Sequence, residues 1–197
     1  IGWKPPAPTL WHRLFGSKDI ASVRYRCLLP IAELQKRGFP VELYRHSNRD
    51  QYKAVLFSKT YGPKDQDLAL SLRRRGRGVL LDLCDNHFYN PKDVPLYRRL
   101  RRDLLKMIAL TDQITCSTPD LARVVAAEAG LKKEPQTVAD PVDPSLRAVL
   151  PGEPAGRPRL LWFGAHGVSN APGGMEDLLR IAQPLERLRR RWDFELI

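Results

Sequence analysis

The sequence predicts an α/β fold built on a doubly wound parallel sheet. Three observations carry that expectation. Short apolar runs alternate with amphipathic stretches of helical period. The run "GVLLDLC" (78–84) is apolar almost throughout, as in a strand buried on both faces. Gly and Pro punctuate the chain at the ends of these runs. Strands separated by helices are βαβ units, and βαβ units make parallel sheets.

The elements follow in order. "IGW" (1–3) reads as the tail of a first strand. Residues 22–37, "SVRYRCLLPIAELQKR", read as a helix that Pro30 can kink and Gly38 stops. "PVELY" (40–44) and "KAVLFSK" (53–59) are strands. A helix opens at Pro63 and closes at Gly76. The strand 78–84 follows, then a helix over 95–110, the strand "QITCST" (113–118) and a helix from Pro119 to Ala129 stopped by Gly130. "QTVAD" (136–140) is a last short strand, and no internal repeat is visible.

Residues 140–158 hold five prolines and two glycines and read as a linker. The pattern then restarts: strand "RLLWFG" (159–164), a Gly-rich loop, a helix over 175–191 and the strand "FELI" (194–197). The expected organisation is a Rossmann-like domain over 1–139, a Pro-rich linker over 140–158, and the first β-α-β unit of an incomplete second α/β domain over 159–197. About 40 residues do not bury a core alone, so the chain is expected to be a piece of a longer protein.

Composition narrows the class. The 197 residues are 43% hydrophobic and 28% charged, suiting a globular domain. No apolar run is long enough to span a bilayer, and no signal peptide is visible. Cys27, Cys84 and Cys116 sit among apolar neighbours and read as reduced thiols of a cytoplasmic protein. The net charge is +11, with Arg more than twice as frequent as Lys. Arg clusters in "LRRRGRG" (72–78), "YRRLRRDLLK" (97–106) and "RLRRRW" (187–192). Anionic partners fit such a balance, and so do solvated helix faces. No zinc-finger spacing, aromatic RNA-binding signature or helix-turn-helix is present.

Three constellations can carry chemistry. In "LLDLCDNHF", Asp85, Asn86 and His87 fall at the carboxyl end of a strand, where open parallel sheets bind ligands. Asp82, Asp85 and His87 offer metal-type ligands, but Asp82 lies within the strand and no second ligand cluster appears. His87 with a neighbouring carboxylate suits a general base. The same residues also suit a polar strand end, with Asn86 making the turn and Asp82 structural. In "FGSKDIASVRYR" (15–26), Ser22 is a candidate N-cap with Arg24 and Arg26 beside it, a weak phosphate signal at a helix start. In "WFGAHGVSNAPGGMEDLL" (162–179), Gly164, Gly167, Gly173 and Gly174 permit close ligand approach, with His166 as a polar handle. Those glycines also serve turn geometry alone. There is no nucleophile elbow or Ser/His/Asp triad, and His12 and His46 read as surface residues.

In this order the pieces resemble a family. "SVRYRCLLPIAELQKRGFPVEL" is similar to the first helix and second strand of GT-B fold glycosyltransferases of the bacterial group 1, family 4-like kind. "VLLDLCDNHFYNP" resembles their D-x-x-D-N strand end, and "ALTDQITCSTPDLARVVAAEAG" their strand leading to S-T-x-x-L. "TVADPVDPS" resembles the segment between the domains, with Asp140 where Asn is common. "LLWFGAHGVSNAPGGMEDLL" resembles the opening of their second domain. Nearly the whole chain is covered, by motifs that are individually loose.

The resemblance implies two Rossmann-like domains across a cleft, transferring a sugar from a nucleotide-sugar donor to a saccharide or lipid-linked acceptor in cell-envelope or polysaccharide biosynthesis. It implies no cofactor and no metal, the nucleotide sugar being substrate. It assigns catalysis to Asp85 and His87. It assigns donor and phosphate contacts to Ser22, Arg24, Gly164, His166, Gly167, Asn170, Gly173 and Gly174. A pair of acidic residues seven positions apart, usual in the family, lies further along than this chain reaches, so the polypeptide as given is expected to be inactive. The protein is expected in the cytoplasm, with association at the inner face of an anionic membrane open through its basic helices. Two other readings stay open: a basic α/β module binding nucleic acid or a protein, with nucleic acid the less expected partner, and another nucleotide-sugar enzyme such as an epimerase.

Overall fold

The computed structural model describes residues 1–6, 21–89, 95–141, 157–162 and 175–197. The chain divides into two compact units, Ile1–Leu146 and Arg147–Ile197.

The first unit is α/β. Its strands are β1 (Gly2–Lys4), β2 (Glu42–Leu43), β3 (Ala54–Ser58), β4 (Gly78–Leu83), β5 (Gln113–Cys116) and β6 (Gln136–Thr137). Among the described residues these six form one sheet in the order β2-β1-β3-β4-β5-β6, and every pairing is parallel. Helix α1 spans Ala21–Val23, Arg24–Leu28 and Leu29–Lys36, α2 Pro63–Arg74, α3 Pro95–Ala109 and α4 Pro119–Ala129. The strand order reverses between β1 and β3, and a parallel sheet opens a ligand crevice outside its carboxyl edge at such a reversal.

The sheet carries two unlike faces, set by the two-residue period of its strands. Val55, Phe57, Val79, Leu81, Leu83, Ile114 and Cys116 join Ala69 and Leu72 of α2, Leu104, Met107 and Ile108 of α3, and Leu121, Ala122 and Val125 of α4 in one buried cluster. The alternate residues include a polar row, for Ser58 pairs with Asp82 and Asp82 with Thr115 in register across three adjacent strands. Close packing restricts two glycines: an added Cβ would stand 3.1 Å from the Tyr52 ring at Gly2 and 3.0 Å from the Ala54 Cβ at Gly78.

Helix ends follow their sequence signals. Thr118 caps α4 by accepting from the Leu121 N–H at 3.1 Å. Gly130 ends it at φ +61°, a conformation that costs glycine nothing. The α2 start is held by Asp65, whose carboxylate accepts from the Gly62 N–H at 2.9 Å.

Strands β2 and β5, and the later strand Arg159–Leu160, are shorter than the runs 40–44, 113–118 and 159–164, and three further details differ from the sequence expectation. The helix over 22–37 is not a kinked α-helix: Arg24–Leu28 form a π turn in which the Leu29 N–H donates to the Arg24 carbonyl. Pro30 follows at once and has no N–H to continue the α ladder back to Arg26. A 3-10 turn, His46–Asn48, lies between β2 and β3, short and without apolar period to announce it. The last strand stops at Thr137 rather than Asp140, although the Val138 N–H still donates to the Cys116 carbonyl at 2.8 Å.

In the second unit β7 (Arg159–Leu160) pairs parallel with β8 (Glu195–Leu196), and helix α5 (Met175–Arg189) connects them, with Pro184 inside it. Among the described residues of the chain no helix is long and apolar enough to cross a membrane.

Candidate functional site

The carboxyl edge of β3 and β4 gathers the chemistry. At the end of β3, Lys59 adopts φ +52°, and among the described residues it alone combines a positive φ with a side chain. Its N–H donates to the Asp82 carbonyl at 2.8 Å as the last rung of the β3–β4 ladder, and its positive φ ends the strand there. Such backbone costs of order 1–3 kcal/mol and clusters at functional sites. Thr60 Oγ1 then donates to Asp65 at 2.6 Å, and Lys4 from the end of β1 makes an ion pair with the same carboxylate. Asp65 thereby fixes the β3–α2 turn, and with it Tyr61, which is only 5% exposed. The Tyr61 carbonyl also accepts from Gln66 Nε2 at 2.9 Å, and that amide reaches the Asp103 carbonyl of α3 at 3.2 Å.

The end of β4 meets this turn. Asp85 makes an ion pair with Lys59, and Cys84 Sγ lies 3.6 Å from the same carboxylate. His87 Nδ1 hydrogen-bonds Tyr61 Oη, while its ring stands edge-on to Tyr97 of α3 with centroids 6.4 Å apart. Asn86 Oδ1 accepts from the Phe88 N–H at 3.0 Å, which makes the turn expected of it.

Electrostatics divides the roles. Partial burial pulls the Asp85 carboxyl up, but the hydrogen bond and charge of Lys59 outweigh it, and its pKa lies below the ordinary value. Burial pushes His87 down; Asp85 opposes this, Lys59 adds to it, and the ring is less basic than an ordinary histidine. Asp85 does tune His87, in the upward direction, but burial with Lys59 outweighs it. Burial raises Tyr61, helped by Asp85, Tyr97 and Asp103, so its phenol keeps its proton. Cys84 is pushed up to about 12 by burial and by Asp85, and is an unreactive thiol.

Behind the rim lies a buried charge network. Arg26, 4% exposed, donates Nε–H to Asp82 Oδ2 at 3.0 Å and Nη2–H to Oδ1. Ser58 Oγ at 3.2 Å and Thr115 Oγ1 at 2.7 Å donate to the same carboxylate. Arg26 Nη1 reaches the Val138 carbonyl at 2.6 Å and Asp140 Oδ1 at 3.1 Å. Burial alone would lower the Arg26 pKa, but the bonds and charges of Asp82 and Asp140 raise it. With both its oxygens engaged, Asp82 is a structural carboxylate. Among the described residues no three His, Cys, Asp or Glu side chains gather at one point.

The chain matches no protein-family model, no curated protein and no solved structure.

Of the residues singled out from sequence, Asp85 and His87 share one rim with Lys59 and Tyr61. Ser22 and Arg24 belong to a different element, the opening turns of α1. Ser22 lies within the helical segment Ala21–Val23 rather than at its cap, because the helix is already formed at Ala21. Arg24 is exposed, 5.6 Å from the Tyr25 ring centroid. Gly164, His166, Gly167, Asn170, Gly173 and Gly174 lie outside the described residues. Lys59, Tyr61 and the structural role of Arg26 escaped the sequence reading. A signal for the network did exist, since Ser58 and Asp82 are each the polar residue near the end of an otherwise apolar strand.

Proposed function

We propose that the first unit is the acceptor-side, Rossmann-like domain of a GT-B glycosyltransferase, and that the rim formed by Lys59, Tyr61, Asp85 and His87 receives a sugar. The arrangement of His87 on Tyr61 at the end of the central strand carries this reading. Around it, the Asp85–Lys59 pair cancels its own charge and His87 is uncharged, which suits a neutral, hydroxyl-bearing ligand better than a phosphate. The reaction would join an acceptor hydroxyl oxygen to the anomeric carbon of a nucleotide sugar as the bond from that carbon to the diphosphate breaks. The departing nucleoside diphosphate keeps the bonding electron pair and takes up the proton that the acceptor hydroxyl loses. Donor contacts from 164–174, a second, donor-binding α/β unit over 159–197, a lipid-linked or saccharide acceptor, and a cytoplasmic site of action at an anionic membrane belong to the same proposal.

A basic nucleic-acid module would need its arginines in one continuous patch. The run 72–78 ends α2 and enters β4, at the amino edge of the sheet, whereas Arg98–Arg102 open α3 at the carboxyl edge. Several are also paired, Arg73 with Asp112 at 2.7 Å, Arg75 with Asp50, and Arg101 with Glu128 at 2.8 Å. These placements favour the sugar-transfer reading.

Saturation-transfer NMR of the chain with nucleotide sugars, free nucleotides and neutral saccharides tests it. Transfer to sugar protons that weakens at least tenfold in His87→Ala is the expected result. No transfer to any sugar, or equal transfer in the variant, would sink the reading.

A further inference from the structure

We infer that Tyr61 is a positioning residue that fixes which nitrogen of His87 carries the proton, so that the ring presents an Nε2–H donor to a ligand hydroxyl. The choice of a hydroxyl as the ligand group rests on the proposed sugar-binding reading; the assignment of the proton does not.

A neutral imidazole has one donor nitrogen and one acceptor nitrogen, and the partner of one decides the role of the other. Tyr61 Oη is the partner of Nδ1. Burial of Tyr61, together with Asp85, Tyr97 and Asp103 around it, keeps the phenol protonated. A protonated phenol donates more strongly than it accepts, so Nδ1 is the acceptor and the ring proton resides on Nε2. Tyr61 is itself immobile, being 5% exposed and held through its carbonyl by Gln66.

No other group competes for the assignment among those that face the ring. Asp85, two residues away on the same strand end, is engaged by Lys59. Lys59 disfavours a charged ring and offers no acceptor. Tyr97 from α3 meets the ring edge-on. His87 is thereby a neutral donor. It follows that Nε2 cannot take a proton from an acceptor hydroxyl, so His87 binds and orients its ligand and is not the general base. Tyr61 supplies that preorganisation from a rigid turn, as second-layer partners do for other imidazoles.

Long-range 1H–15N correlation spectra of the 15N-labelled chain read the tautomer directly and need no sugar. The four histidines are told apart by the loss of one signal set in His87→Gln. At pH 7.5 the expected pattern for His87 is a protonated Nε2 and an unprotonated Nδ1. In Tyr61→Phe the tautomer ratio should move toward Nδ1–H by about fivefold, the factor equivalent to one net hydrogen bond of about 1 kcal/mol. A wild-type spectrum with Nδ1 protonated overturns the inference whatever the variant does. So does a folded Tyr61→Phe whose His87 signals superimpose on wild type. If the tautomer is as expected while no saccharide perturbs Nε2, the sugar reading fails and the proton assignment stands.

Discussion

Truncating Asp82 strands the Arg26 guanidinium in the interior with its principal partner gone. Asp82→Ala should lower stability by about 3–5 kcal/mol, the cost of breaking a buried ion pair, read as a fall in the urea midpoint. Ser58→Ala removes one donor to a carboxylate that keeps three others, and should cost about 1 kcal/mol. Lys59 allows the opposite experiment. Lys59→Gly relieves its left-handed backbone and should raise stability by about 1 kcal/mol. The same change removes the cation that holds Asp85 low, so the Asp85 carboxyl, followed by 13C NMR through a pH titration, should titrate higher than in wild type. His87 has a pH signature of its own. Its folded pKa lies below the ordinary 6.5, so the unfolded chain binds the proton more readily. The stability it contributes is present above pH 6.5 and is lost as pH falls through the folded value. Unfolding midpoints measured between pH 7.5 and 5 should fall, and should fall less in His87→Gln. The sequence displayed Asp85, Asn86 and His87 because they are adjacent and follow an apolar run. It hid Tyr61 and Lys59, which stand 24 or more positions earlier and join the rim only because β3 and β4 are neighbours in the sheet.

Helix α4 shows how much local chemistry decides an element. Its start at Pro119 and stop at Gly130 coincide with the sequence signals, while Thr118, read as strand, is its cap. Thr118→Ala should therefore cost about 1 kcal/mol, again read in a denaturant midpoint. The strands were legible for a similar reason, since β4 is apolar but for Asp82, with Val79, Leu81 and Leu83 buried on one face. Helix α1 was legible only in its extent. Arg26, within its π turn, meets Asp82, a contact across 56 positions that no window of local sequence contains.

Each unit distributes its apolar surface differently. The buried cluster of the first unit runs from Tyr52 to Val125 and closes on itself. In the second, Phe194 is the buried hydrophobic residue among those described, while Leu161, Leu179 and Trp192 are 68%, 76% and 65% exposed. A fragment of residues 1–146 should thus unfold cooperatively with near-UV circular dichroism like that of the whole chain, whereas residues 147–197 alone should show no cooperative transition. Heat or urea scans of the two fragments check this, and a noncooperative 1–146 would contradict the self-contained core. The Arg26 bonds to Val138 and Asp140 bear on how load passes along the chain. Force applied through residue 141 meets the guanidinium before it reaches the two-residue strand β6. In a single-molecule pulling experiment that side chain acts as a strain relief, and Arg26→Lys, which cannot span all three partners at once, should let β6 peel away at lower tension.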